Sequence, residues 1–332
     1  MMIELNNNFL KFQFSGVHEE ASCSIDFQRT LRIPDDNKPY PLPPGLGRFP
    51  VEHVDDYASK VPKEWATRGG VFVPMYQSEA LWVNFQGSYP CAIKIAAGKI
   101  NAVDGSPWSA ELSATAQDYV VVPEQPWLDG FNVAEDYIRQ FVAMPLGEGY
   151  TAEEQITGKA EYGGLQVIVY PMKRSHFETW SRRRLESSNM PFLDSACLEM
   201  SPKACYSMGL APGGLMRQKI YEDSHGVGAW DQENGLKCFV HLVNSNSYAE
   251  ITGTAPPHVP PTAKDYNAAG LPWFDYYSDM PVTGGSKVLA ELHSIGAKTL
   301  QNTGQLLDEN DSVLPEQVKQ IGPSNIVRQG NF

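Results

Sequence analysis

Glycine and proline interrupt this chain from end to end. Its 28 glycines and 25 prolines are scattered rather than clustered. Each proline removes a helix hydrogen bond and each glycine weakens a helix interior. Few long helices survive that spacing, whereas short strands joined by turns tolerate it. The expected fold is therefore mainly β: an antiparallel sandwich or two packed β-rich lobes, with one or two peripheral helices. The 332 residues, 42% of them hydrophobic, suffice for a substantial core. They read as a single large unit over residues 1–332, and any division into two lobes would fall near residues 150–190.

The clearest strand runs from Ala21 to Ile33, where odd positions are apolar and even positions polar, the period of a strand with one buried face. Arg29 breaks the pattern by falling on the apolar side. A charge there needs a carboxylate partner, a bulge that turns it outward, or a bound anion. Further strands are expected at Ala80–Phe85, Cys91–Ala97 and Ile100–Val103, read as a meander, and at Asp118–Val122, Leu165–Tyr170, Leu215–Tyr221, Leu236–Val243 and Tyr248–Thr252. Helical spacing marks Lys173–Glu186 and Ser286–Ile295, the second ending at Gly296, and Val51–Trp65 has room for a short helix. Gly-Gly pairs precede three of the β-like segments, at residues 69–70, 163–164 and 213–214. With no helix N-terminus following them, they suit close backbone approach better than phosphate binding.

Net charge and cysteine usage narrow the function classes. A formal charge of −13 opposes general affinity for nucleic acid or anionic membrane. The basic run Lys173–Arg184, with Phe177 and Trp180 interleaved, reads as a solvated helix rather than a nucleic-acid grip. No apolar run approaches bilayer length, and the start of the sequence has no secretory pattern. Five cysteines, without a Cys-x-x-Cys pair, suit reduced thiols in a cytoplasmic protein. Phosphate-binding, dinucleotide, zinc-protease and serine-nucleophile signatures are all missing, and no cofactor is implied. His53 and Asp55, in Glu52-His53-Val54-Asp55-Asp56, form the best of three histidine–acid neighbourhoods for a metal. The same letters also describe an exposed acidic loop.

One echo stands out. Asp118-Tyr119 leads to Pro126-Trp127-Leu128-Asp129-Gly130-Phe131, and Asp265-Tyr266 leads to Pro272-Trp273-Phe274-Asp275-Tyr276-Tyr277. Composition alone gives roughly half of one Pro-Trp dipeptide, against three found, at Trp108, Trp127 and Trp273. Proline fixes the approach of the chain and tryptophan offers a broad apolar face with one donor. With a carboxylate two residues on, each segment has the parts that grip a sugar or another polyhydroxyl molecule. Trp127, Asp129, Trp273, Asp275 and Arg29 are thus candidate ligand contacts for a small-molecule binding protein. The alternative from the same letters is structural: both tryptophans plug the ends of a sandwich and both aspartates cap turns. Asp129, Asp275 and Glu79 are the candidate carboxyls for a hydrolytic enzyme, metal-assisted or not. Aromatic interface loops in a homo-oligomer form a third reading. Duplication of an ancestral half explains the echo poorly, because Ile156-Thr157-Gly158 and Ile251-Thr252-Gly253 recur in the wrong order relative to it.

Overall fold

In the computed structural model, residues 1–185, 207–276, 278–307 and 317–321 are described. Cys197, Cys205, Tyr277 and the acidic stretch Asp308–Asp311 lie outside them. Among the described residues the chain is mainly β, with 37% strand against 20% helix, and its large antiparallel sheet does not close into a barrel. Sixteen strands of the described residues join that sheet. Its main path runs Met2–Asn6, Phe9–Gln13, Ser22–Thr30, Ala80–Gln86, Tyr137–Pro145, Ser207–Arg217, Leu236–Asn244, Leu165–Pro171, Cys91–Ala97 and Val120–Val122. Two strands that follow residues 150–190, Ser207–Arg217 and Leu236–Asn244, lie in this path between strands that precede or fall within them, Tyr137–Pro145 on one side and Leu165–Pro171 on the other. Among the described residues no helix is long and apolar enough to cross a membrane.

The sheet folds over on itself. Phe27, Val83 and Phe141 from one half share an apolar cluster with Ile93, Val120 and Val167 from the other. The two halves meet at the Leu236–Asn244 strand. It pairs antiparallel with Leu165–Pro171 along one edge, touches Ser207–Arg217 over two residue pairs, and runs parallel to Val71–Met75. Two glycines let strands enter this seam: Gly70, at φ +87°, and Gly164, at φ +54°, lie against the carbonyls of Phe239 and Val240. A Cβ would collide with backbone at either position, so the Gly-Gly pairs serve close approach.

Arg29 has its carboxylate. It sits on the inward face of Ser22–Thr30, and its Nε donates to Glu79 Oε1 at 2.7 Å. The two side chains are 3% and 1% exposed. Glu79 also accepts the Tyr76 amide at 2.9 Å. The proline-rich residues 256–261 close over this pair: Arg29 donates to the His258 carbonyl, and the Tyr76 hydroxyl donates to the Pro257 carbonyl at 2.6 Å. Gln140 fills a related role, its amide bonding both Leu31 O and Ile33 N where the strand leaves the ladder.

Four expected elements differ. Ala80–Phe85 and Cys91–Ala97 are not neighbours in a meander. The turn between them carries Tyr89, which is buried and donates to Met172 O, so the chain crosses to the other half of the sheet. Tyr248–Thr252 is the end of a helix, Ser245–Thr252, capped by Asn244. Its buried Tyr248 and Ile251 are three apart, a helical interval that a five-residue window cannot tell from a strand. The segment Leu215–Tyr221 is strand only to Arg217, and the strand begins at Ser207. Gly213 and Gly214 lie inside it because Val142 and Pro34 crowd their Cβ positions. Ser286–Ile295 is two helices, Lys287–Ala290 and Ile295–Thr303, with Ser286 and Ser294 each accepting a first-turn amide. Gly296 lies within the second helix, its amide donating to Asp35 Oδ2 at 2.6 Å.

The lesser echoes have local causes. In Ile156-Thr157-Gly158 and Ile251-Thr252-Gly253 the threonine hydroxyl bonds back to the carbonyl four residues earlier. The glycine then closes the helix in the left-handed conformation, a helix-ending device that recurs without common descent. Asp118 is ion-paired to the buried Lys94, whereas Asp265 completes a capping box with Thr262.

Candidate functional site

Trp127 begins a two-residue strand that pairs with Ala80–Gln86, opposite Asn84. Strand alternation sends Leu128 into the core and leaves Trp127 half-buried at the surface. Two glutamines tie this segment to the chain leaving the Ser207–Arg217 strand. Gln125 Nε2 donates to Trp127 O at 2.9 Å and to Lys219 O at 3.2 Å, and its Oε1 accepts the Tyr221 amide at 3.0 Å. Gln218 exchanges a reciprocal pair with Asp129: its Oε1 accepts the Asp129 amide at 2.9 Å, and its Nε2 donates to Asp129 Oδ2 at 2.8 Å.

The second Pro-Trp segment arrives from the other side. Phe274 exchanges backbone bonds with Leu42 at 2.7 and 3.0 Å. Trp273 then points inward, fully buried, with its Nε1 donating to Asn267 Oδ1 at 2.7 Å. Asp275 points outward, both its oxygens accepting from Arg217 Nη1 at 2.9 and 3.2 Å. Tyr276 meets Trp127 edge-on, 5.0 Å between ring centroids. Trp82 also meets Trp127 in a T-shaped contact, 6.0 Å between ring centroids.

Between the segments lies a cleft of about 260 Å³, with Trp127, Tyr276 and Tyr137 among its walls and Arg217, Lys219, Asp136 and Asp275 among its charged groups. A second cleft, at Asp104, Gln117, Asp223 and Lys287, is larger at about 610 Å³ but wide open. There Asp223 is already engaged, accepting from the Tyr119 hydroxyl, the Trp230 indole and the His225 amide. Size favours the second, but enclosure by aromatic rings favours the first.

The candidate residues separate accordingly. Trp127 and Asp275 line the first cleft, and Trp273 supports it from the core. Asp129 lies behind the wall and touches it through Gln218. Burial pushes the Asp129 carboxyl up to about 7, against the bonds from Trp127 and Gln218 that favour its charged form. Arg29 and Glu79 do not line this cleft. Burial also pushes Glu79 up to about 7, with Arg29 and the Tyr76 amide pulling it back. His53 is exposed at the end of a two-residue strand, and Asp55 opens a single exposed turn. Among the described residues no three histidine, cysteine, aspartate or glutamate side chains converge to hold a metal. On the Arg174–Leu185 helix, Phe177 packs against Tyr89 at 4.1 Å and Trp180 lies 6.5 Å from His225. Both rings serve packing.

Sequence reasoning missed Lys219, Asp136, Tyr137 and Gln125. A signal existed for part of this: the polar pair Arg217-Gln218 at the end of an otherwise apolar strand. Comparison of the chain with protein-family models, curated protein sequences and solved structures returned no match.

Proposed function

We propose that this chain is a ligand-binding protein whose cleft between the two Pro-Trp segments takes a polyhydroxyl molecule about the size of a single sugar ring. The carrying observation is the pairing of aromatic faces with outward carboxylates in one small cleft. Trp127 and Tyr276 offer apolar surface for the C–H face of a sugar, and Asp136 and Asp275 offer acceptors at its rim. The volume of about 260 Å³ sits near the lower end for small-molecule sites. Binding is better supported than hydrolysis by Asp129 and Asp275, because Gln218 screens Asp129 from the cleft, and the carboxylates that do line it, Asp136 and Asp275, stand against Lys219 and Arg217. A cytoplasmic setting goes with this reading, supported by the free thiols Cys23, Cys91 and Cys238.

Saturation-transfer NMR against a panel of neutral and acidic monosaccharides tests the proposal. Contact is expected along one face of the sugar ring. It should vanish in Trp127→Ala, with the fold checked by circular dichroism. A panel in which no sugar binds at millimolar concentration removes the reading.

A further inference from the structure

We infer that the ligand of this cleft carries an acidic group, a carboxylate or phosphate on its sugar-sized body. This rests on the cleft being a ligand site, as proposed above. The chain leaves the Ser207–Arg217 strand as Arg217-Gln218-Lys219, and the alternation of an extended backbone divides the three. Gln218 turns inward and is buried on Asp129, while Arg217 and Lys219 face the cleft. Their Cα atoms are about 7 Å apart in extended chain, so one oxyanion can be approached by both side chains.

Neither cation is fully engaged. Arg217 gives a single nitrogen, Nη1, to both oxygens of Asp275. Its Nη2 and Nε make no hydrogen bond among the described residues, which leaves free the edge of the guanidinium that grips carboxylate or phosphate with two parallel bonds. Lys219 Nζ stands 3.8 Å from Asp136 Oδ1, beyond hydrogen-bond distance. The pair at Arg217 is wet, with the side chains 52% and 25% exposed, and exposed pairs of this kind hold weakly enough for a ligand to rearrange them. In a chain of net charge −13, Arg217 and Lys219 offset the two carboxylates of the cleft, Asp136 and Asp275, so an incoming anion meets there a balanced site instead of the negative field of the whole chain.

The test uses the full chain and three probes of similar size: glucose, glucuronate and glucose 6-phosphate, titrated by calorimetry at low and high salt. One or both anionic sugars should bind at least roughly tenfold more tightly than glucose, the increment of about one charge-assisted hydrogen bond. The advantage should shrink at high salt. Arg217→Met should erase most of it and Arg217→Lys should keep part, since a single point charge replaces the fork. Preference between glucuronate and glucose 6-phosphate separates carboxylate from phosphate. Equal affinity for all three, unchanged in Arg217→Met, overturns the acidic-group inference and leaves the sugar reading standing. No binding by any of the three overturns both.

Discussion

Trp127 and Trp273 stand in nearly the same letters and do opposite work. Both start a short strand, both follow proline, and both have aspartate two residues on. Trp273 is wholly buried, its indole N–H satisfied by Asn267 and its edge set against Tyr266. Trp127 is half-buried and turns a face to a cleft. The aspartates are reversed with respect to them: Asp129 beside the open tryptophan is buried, and Asp275 beside the buried one is outside. The difference lies in what each strand pairs with and not in the motif. Identical local chemistry yields a wall in one place and a plug in the other, and together they make one cleft.

The sharpest way to break this contrast is truncation of each ring. Trp273→Ala should cost about 3–5 kcal/mol, the usual price of emptying a large buried aromatic site. Trp127→Ala should cost roughly 1–2 kcal/mol because half of its surface is already in water. Urea unfolding of both variants decides it, and equal losses would mean that the two rings share one structural role.

The next effect concerns the aspartates. Asp129 titrates at about 7 in the folded protein against a reference value of 3.8, and Glu79 behaves alike, at about 7 against 4.5. Between those values the unfolded chain has lost protons that the folded chain keeps. Stability should therefore fall as pH rises from about 4 to 7 and level off above, by about 4 kcal/mol for Asp129 and about 3 kcal/mol for Glu79. Asp129→Asn should roughly halve the slope and leave the share of Glu79 in place. Melting curves across that range make the comparison.

Smaller effects refine it. Asn267→Ala strands the buried Trp273 N–H and should cost about 1–2 kcal/mol, with no loss of ligand binding in the NMR assay. Arg217→Met should change stability by less than about 1 kcal/mol, since its ion pair is exposed. A larger loss in chemical denaturation would show that the pair holds the second segment in place.

The sequence made the mainly β character legible through its turn residues, and it marked Arg29 as a charge in need of a partner. Gln140 and the pair Arg217-Gln218 are polar residues in apolar surroundings of the sequence, and each bridges backbone or side chains there. What sequence could not reveal was side. Trp127 and Trp273 follow the same local rule, and only pairing across long separations decides which one meets solvent. The Ser245–Thr252 helix was hidden for a related reason: about two turns are too few for period to speak, and the decisive residues are its caps, Asn244 and Gly253. Lys219, Asp136 and Tyr137 were silent because, each taken alone, they resemble ordinary surface residues.

The parallel register of Val240–Asn244 on Val71–Met75 has a consequence for how the chain reaches this state. A contact between such distant parts of the sequence closes a large loop, and such contacts slow folding. During synthesis the Val71–Met75 strand emerges long before its partner. Until Leu236–Asn244 arrives, it and the Leu165–Pro171 strand each present an unpaired edge. Those edges are where a nascent or truncated chain would stick to its neighbours, so chains ending before residue 236 should be recovered as aggregate under conditions that keep the full chain in solution.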